Sequence, residues 1–194
     1  QESRGLGDVY KRQVDDMHLF GNHNYENVMA AIAMTIEAGV PLNIIINVIK
    51  DFMGVEHRIE YVRDKNGVRY YNDSKGTNPD SSIKALEAMS RPTILIAGGY
   101  DKHSEFDEFI EAFDNKVKLM VLLGQTADKI EETAVRHGFT NIIKTDSLEK
   151  AVKICAENAV SGDVVLLSPA CASWGMFKNY EERGKLFKEY VNSL

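Results

Sequence analysis

The sequence is poor in the residues that build covalent or metal-bound frameworks. It has two cysteines, Cys155 and Cys171, and five scattered histidines. They form neither a disulfide framework nor a metal-ligand spacing, so no metal ligand is predicted in this chain. Cys155 falls at an apolar helix position, which is typical of core. The sequence also shows no secretory signal, so we expect a reducing, cytoplasmic setting.

Long apolar runs and excess positive charge are also lacking. No apolar run approaches the ~18 residues that a membrane-spanning helix needs. The formal net charge is −6 and the pI is about 5.4, which argues against a nonspecific nucleic-acid surface. We therefore expect neither membrane insertion nor nucleic-acid binding, although a local basic site for phosphate stays possible.

Two sequence signals for nucleotide binding are missing as well. The chain has no G-x-x-x-x-G-K-[ST] phosphate loop, and Gly98-Gly99 is not the spaced-glycine dinucleotide motif. Residues 1–13 show neither helical nor strand periodicity, and position 1 is not methionine. We interpret residues 1–13 as a junction segment and the chain as part of a longer protein.

The chain divides by pattern near residue 55. Residues 14–54 are helical in character: Asn24 is expected to cap one helix that Gly39 ends, and Pro41 to begin a second that Gly54 closes. After residue 55, short apolar strands alternate with helices. This alternation predicts a Rossmann-like, mainly parallel sheet flanked by helices, preceded by the helical block.

The elements predicted after residue 55 begin with a hairpin, 59–63 and 68–72, around Lys65-Asn66-Gly67. Asn78-Pro79 is typical of a helix start, and Ser104, Thr126 and Ser147 stand at expected N-caps. The further strands are 93–97, 117–123, 141–144 and 164–167, and the helices are 79–89, 105–114, 127–137, 147–160 and 179–192.

Three loop sequences could carry chemistry, and each follows a predicted strand. They are NDSKGTNPDS (72–81, the Lys75 segment), GGYDKHSEF (98–106, the Lys102 segment) and SPACASWGMFKNYEERG (168–184, the Ser173 segment). Loops at the carboxyl ends of parallel strands share one edge of the sheet, where ligands bind. Two lysines, an aspartate and several hydroxyls would then converge on an anionic ligand.

Each segment also has a plainer interpretation. The Lys75 segment can be a turn with a helix cap, and Lys102 can be a solvated lysine. His103 is interpreted as a loop residue rather than a catalyst. Trp174 either lines the site or covers it, and Glu181-Glu182-Arg183 is interpreted as a solvated helix start.

The three segments, in this order, resemble the C-terminal domain of the Mur ligases, and specifically of the members that add D-glutamate. GNHNYENVMAAIA (21–33) resembles the end of the family's central ATPase domain. The resemblance implies that 14–54 are the last helices of a truncated central domain and 55–194 the C-terminal domain. The apolar faces of the helices in 14–54 would pack against a sheet that this chain lacks, so we expect them to be exposed.

The resemblance implies a cytoplasmic step of peptidoglycan precursor synthesis. ATP would phosphorylate the carboxylate of UDP-N-acetylmuramoyl-L-alanine, and the amine of D-glutamate would displace the phosphate to give an amide. The family's Mg²⁺ ligands and carbamylated lysine belong to parts that this chain lacks. We therefore expect a monomeric full-length enzyme that needs ATP and Mg²⁺, and no ligase activity from this chain alone.

The resemblance also assigns residues to the nucleotide. It implies that Asn24 and Asn27 lie by the base, that Arg58 meets the phosphate or ribose side, and that Asp73 contacts the ribose. Lys75 would lie between the nucleotide and D-glutamate and act in catalysis.

For D-glutamate, the resemblance implies that Lys102 binds one carboxylate and is the second catalytic lysine. Ser173 would bind the other end of the amino acid, Thr77 would lie between the two ligands, and the ring of Tyr180 would pack nearby.

Three alternatives stay open at this point. A folylpolyglutamate-synthase-type ligase shares the fold and the acyl-phosphate chemistry, although NDSKGTN speaks against it. A stand-alone nucleotide- or anion-binding module would bind without catalysis. A flavodoxin-like domain would use the three loops for structure only.

Overall fold

The computed structural model describes Leu19 and residues 21–194. It contains two compact units that divide between Val55 and Glu56. The interpretation of residues 1–13 as a junction lies outside the described residues. In the described part of the chain, no helix combines the length and the apolar character needed to cross a membrane.

The first unit contains two helices, α1 (Asn22–Glu37) and α2 (Leu42–Asp51). Gly39 ends α1 with a φ of 78°, as predicted, and Pro41 is the N-cap directly before α2 rather than a residue of its first turn. The predicted cap is wrong: α1 begins at Asn22 after Gly21, so Asn24 lies inside its first turn. Gly21 has a φ of 93°, which a residue with a side chain rarely adopts, so the glycine starts the helix earlier.

Large apolar side chains are exposed on these helices and after them, as expected. Met34 is 67% exposed, Val48 61% and Met53 73%. Ile45 is the buried apolar residue of α2. Burying such side chains would stabilise the unit, so their exposure marks apolar surface that the described part of the chain leaves uncovered.

The second unit is an alternation of strands and helices. Its elements are β1 (Glu60–Lys65), β2 (Val68–Asn72), α3 (Pro79–Ala88), β3 (Thr93–Ala97), α4 (Asp107–Glu111), β4 (Val117–Leu122), α5 (Ala127–Arg136), β5 (Ile142–Lys144), α6 (Leu148–Asn158), β6 (Val164–Leu167) and α7 (Tyr180–Ser193). All the strands predicted from the sequence are present, and the β1–β2 hairpin turns at Asn66-Gly67.

The six strands form one sheet in the order β1-β2-β6-β3-β4-β5. β1 pairs antiparallel with β2, and every other neighbouring pair is parallel. The predicted Rossmann-like, mainly parallel sheet is therefore confirmed. β6 lies between β2 and β3, which places the Ser173 segment between the other two.

Helices cover both faces of the sheet. One core contains Leu86, Phe109 and Ile130 from α3, α4 and α5, and the other contains Val152 and Phe187 from α6 and α7. Cys155 is fully buried in the second core, as predicted, and this burial raises the pKa of its thiol. The apolar runs in β3, β4 and β6 reflect this double coverage.

Helix caps show where local sequence was sufficient. The side chains of Asn78 and Ser147 accept hydrogen bonds from backbone N–H groups three residues on, as predicted. Ser104 does not cap α4, which begins at Asp107. Thr126 precedes α5, but its hydroxyl instead bonds the Lys102 segment, accepting from Gly99 N–H at 3.0 Å.

Candidate functional site

The three segments leave the carboxyl ends of adjacent parallel strands, and backbone hydrogen bonds join two of them directly. Gly98 N–H donates to the carbonyl of Pro169 at 2.8 Å, and Tyr100 N–H donates to that of Ala172 at 2.9 Å. A Cβ on Gly99 would collide with the Ala172 carbonyl, so this approach requires glycine. The Lys102 and Ser173 segments are thus held together along their backbones.

A buried polar network joins the Lys75 segment to the Ser173 segment. Oδ2 of Asp73 lies 2.7 Å from the Ser168 hydroxyl, which lies 2.8 Å from the Ser82 hydroxyl. Ser82 Oγ accepts from Ala170 N–H at 2.9 Å, and Asp73 Oδ1 accepts from Ile59 N–H at 3.2 Å. The Ser168 hydroxyl has a single proton to donate. Whether it donates that proton to Asp73 or to Ser82 therefore depends on whether Asp73 is ionised.

Burial changes the acidity of this network. Desolvation raises the pKa of Asp73 to about 7, although the bonds from Ser168 and Ile59 oppose it. Gly76 is packed over the network: a Cβ there would lie 2.5 Å from Asp73 Oδ2 and 3.0 Å from the Ser168 and Ser82 hydroxyls. Glycine at position 76 therefore lets the Lys75 segment pack closely against the buried polar network.

Arg183 makes a second link between these two segments. Its guanidinium donates to the hydroxyl and carbonyl of Ser74 at 2.9 and 2.7 Å, and to the Cys171 carbonyl at 3.1 Å. The interpretation of this run as a solvated helix start is wrong for Arg183, which is 2% exposed. Burial lowers its pKa to about 10, so it stays charged at neutral pH.

Lys75 and Tyr180 meet at the mouth of the same edge. The ammonium of Lys75 donates to the Tyr180 hydroxyl at 3.2 Å and lies 4.8 Å from the centroid of its ring. The Ser74 hydroxyl donates to the Tyr180 carbonyl at 2.8 Å, which fixes the start of α7 against the Lys75 segment. Lys75 and Tyr180, to which the family resemblance assigns separate roles toward the ligands, are therefore in direct contact.

Lys102 has an aromatic neighbour in the Ser173 segment. Its ammonium lies 4.6 Å from the centroid of the Trp174 ring, which is tilted against the ring of Tyr100. Ser173 itself is buried at 4% exposure, and its carbonyl accepts from Phe177 N–H. The lysine and the serine assigned to one ligand thus belong to segments that touch.

Thr77 and Arg58 flank the network. Thr77 is half-buried, and its N–H donates to the Lys75 carbonyl at 2.8 Å. Arg58 is exposed, and its charge lies close enough to lower the pKa of Asp73 in part. Asn24 and Asn27 belong to α1 of the first unit, where Asn27 is exposed.

His57 was missed as a structural residue of this region. It is 3% exposed, its carbonyl accepts from Lys75 N–H at 3.0 Å, and its Nδ1 lies 2.9 Å from the Asn72 amide. Burial lowers the pKa of His57, which favours the neutral ring that can accept from Asn72.

Glu56, His57 and Glu60 come close enough to suggest a metal site among the described residues. Lys188 occupies that place instead: its ammonium lies 2.7 Å from Glu56 and 2.9 Å from Glu60. The carboxylates of Glu56 and Glu60 are therefore paired with a lysine ammonium in this structure.

Residues 57–171 match the family model described as "Mur ligase, glutamate ligase domain". UDP-N-acetylmuramoylalanine--D-glutamate ligase of Lachnospira eligens is 64% identical over 98% of this chain and 42% of its own length. The enzyme of that name from Lachnoclostridium phytofermentans is 60% identical over 93% of this chain and 40% of its own length. The chain thus spans about two-fifths of the length of these relatives.

Solved structures agree on the fold. UDP-N-acetylmuramate-alanine ligase MurC of Thermotoga maritima superposes with a TM-score of 0.69 at 17% identity, covering 91% of this chain and 39% of its own. Folylpolyglutamate synthase of the same organism superposes with a TM-score of 0.61 at 15% sequence identity, covering 91% of this chain and 40% of its own. At such identities the likeness shows the fold alone. The family model, however, matches more than half of the sequence, and the chain belongs to the family of Mur ligase glutamate ligase domains.

Proposed function

We propose that this chain is the D-glutamate-binding part of an ATP-dependent ligase that joins D-glutamate to UDP-N-acetylmuramoyl-L-alanine in peptidoglycan synthesis. The observation that carries the proposal is the convergence of the Lys75, Lys102 and Ser173 segments at one sheet edge. Relatives up to 64% identical carry the name of that ligase. We further propose that residues 14–54 end a central ATPase domain and that 55–194 form the C-terminal domain.

The chemistry needs an amine held in line with an activated carboxylate. A well-oriented pair of reactants gains about 7–11 kcal/mol over free reactants, so positioning is the main task of these residues. D-Glutamate has two carboxylates, and we assign one to Lys102 and the amino-acid end to Ser173 with Thr77. The half-buried ring of Tyr180 would pack against the ligand.

Lys75 suits the position between the two ligands. Its ammonium is aimed by Tyr180, and a fixed cation would stabilise the charge that develops as phosphate leaves. We propose that Lys75 and Lys102 are the catalytic lysines of this chain. Each acts as a point charge toward an oxyanion rather than as a proton carrier.

The nucleotide contacts are proposed for Asn24, Asn27, Arg58, Asp73 and Lys75. Arg58 has the exposure and charge that a phosphate or ribose contact requires. Asp73 is 4% exposed, and each of its oxygens already accepts a hydrogen bond, so a ribose hydroxyl would have to share one of them. Mg²⁺ would neutralise phosphate charge, and its ligands are proposed to lie outside this chain.

The setting proposed for the whole enzyme is cytoplasmic, with small molecules as partners and a monomeric state. This chain alone is proposed to lack ligase activity, because it holds no phosphate loop for ATP.

A chimera tests the proposal. The Lachnospira eligens ligase would keep its own sequence except in the matched region, which this chain from Asp16 onward replaces. With ATP, Mg²⁺ and UDP-N-acetylmuramoyl-L-alanine, we expect ADP release that depends on D-glutamate and not on L-glutamate.

The controls are the relative truncated before the matched region and the chimera with Lys102→Met, both expected to be inactive or nearly so. A soluble, folded chimera with no D-glutamate-dependent ADP release would contradict the proposal. Equal rates with D- and L-glutamate would assign the site to glutamate in general.

A further inference from the structure

Trp174 is the only tryptophan of the sequence and directly follows the buried Ser173. Trp174 is 52% exposed, and its ring makes two contacts with the Lys102 segment. The ring centroid lies 5.5 Å from that of Tyr100, at an angle of 59°. The ammonium of Lys102 lies 4.6 Å from the Trp174 ring, within the range of a cation–π contact.

The backbone around the ring is fixed on both sides. Tyr100 and Ala172 form an isolated antiparallel bridge, which sets the two rings side by side. The Ser173 carbonyl accepts from Phe177 N–H at 3.0 Å, which closes a turn around Trp174. Main-chain contacts on both sides of Trp174 therefore fix the backbone from which its ring extends.

The Lys102 ammonium lies against the Trp174 ring at the end of an exposed side chain. Among residues 21–194 the structure gives this ammonium no hydrogen-bond or ion-pair partner. A lysine stem in water samples many rotamers, and an aromatic face on one side restricts them. The contact uses the positive charge while leaving N–H donors free for a carboxylate on the other side.

We propose that Trp174 is a positioning residue that holds the Lys102 ammonium ready for a substrate carboxylate, with Tyr100 bracing the tryptophan ring. The inference rests on the proposed function, since it assigns the carboxylate to D-glutamate. An exposed cation–π contact shifts an equilibrium by about two- to five-fold, and this is the size of the effect to expect.

The first test uses the chimera in a double-mutant cycle. Trp174→Leu is expected to raise KM for D-glutamate about two- to five-fold while kcat and KM for ATP stay near wild type. Trp174→Phe keeps an aromatic face and is expected to restore most of the loss. The Lys102→Met background is expected to be inactive or nearly so, so the dissociation constant of D-glutamate is measured by equilibrium binding for all four members of the cycle. In the Lys102→Met background, Trp174→Leu is expected to have no further effect on that constant.

Effects that add in the double variant, or a fall in kcat with KM unchanged, would overturn the positioning role. If the wild-type chimera itself shows no D-glutamate-dependent turnover, the proposed function fails, and a second measurement still decides the geometry.

That measurement uses the 194-residue chain, whose tryptophan fluorescence comes from Trp174 alone. Lys102→Met is expected to change the emission intensity, because it removes the cation beside the ring. Lys150→Met is the matched control, since Lys150 is exposed and pairs with Asp146. Identical emission from wild type and Lys102→Met would overturn the contact, whatever the enzyme does.

Discussion

The ammonium of Lys75 donates to the hydroxyl of Tyr180 at 3.2 Å and lies 4.8 Å from the centre of its ring. These residues are far apart in the chain, on the segments that follow β2 and β6. Because those strands are neighbours, α7 begins beside the Lys75 segment and presents its first side chain to the lysine.

Substitution of Tyr180 separates the two parts of this contact. Tyr180→Phe keeps the ring and removes the acceptor, so we expect kcat/KM of the chimera to fall less than about three-fold. Tyr180→Leu also removes the ring face and is expected to cost a further two- to five-fold, roughly the worth of an exposed cation–π contact. Steady-state kinetics at varied D-glutamate measure both. Equal activity of Tyr180→Leu and wild type would show that Tyr180 does not orient Lys75.

Replacing Arg183 is expected to lower the free energy of unfolding. Arg183→Met leaves the buried carbonyls of Ser74 and Cys171 without a donor, and each such group costs about 1–3 kcal/mol. Urea unfolding should show this fall in the free energy of unfolding. Arg136→Met is the control: Arg136 is exposed and pairs with Asp107, so a much smaller change is expected. Equal losses from the two variants would contradict the structural role of Arg183.

The parallel sheet and the shared edge of the three segments were predictable from the sequence. Strand patterns are local, and the rule that parallel strands end at one edge needs no knowledge of side-chain packing. Asn78 and Ser147 were predictable for the same reason, since a cap bonds within three residues.

Long-range bonds account for what could not be predicted. Arg183 follows two glutamates and has the local pattern of a solvated helix start, but it reaches Ser74 in another segment. Thr126 stands at a cap position, and its hydroxyl instead bonds Gly99. Ser82 has no local signal for its place beside Ser168. The order of the strands in the sheet decides which loops become neighbours and therefore which of these side chains meet. The hydrophobic periodicity of the sequence carries no information about that strand order.

The buried Asp73 predicts a pH dependence of stability. Its pKa is raised from an ordinary 3.8 to about 7 in the folded protein, so the folded state holds a proton that the unfolded state releases. The stabilising contribution of the protonated group is therefore full below the ordinary pKa. It declines as the pH rises toward 7, by up to roughly 1.4 kcal/mol per pH unit.

Asp73→Asn mimics the protonated carboxyl, because its amide can donate to the Ser168 hydroxyl. Unfolding free energies of wild type and Asp73→Asn should therefore be compared between about pH 5 and about pH 8. We expect wild type to lose stability relative to the variant as the pH rises. Parallel profiles would show that Asp73 does not bind the extra proton in the folded state.

Chemical protection of Lys102 is the most direct test of the central claim, that this sheet edge binds D-glutamate. The chimera would be treated briefly with an amine-acylating reagent, and acylation of Lys102 followed by mass spectrometry, with exposed Lys150 as the internal standard. D-Glutamate is expected to slow the acylation of Lys102 and to leave the acylation of Lys150 unchanged, and L-glutamate is expected to leave both unchanged. Equal protection by both enantiomers, or none by D-glutamate at saturating concentration, would contradict the account.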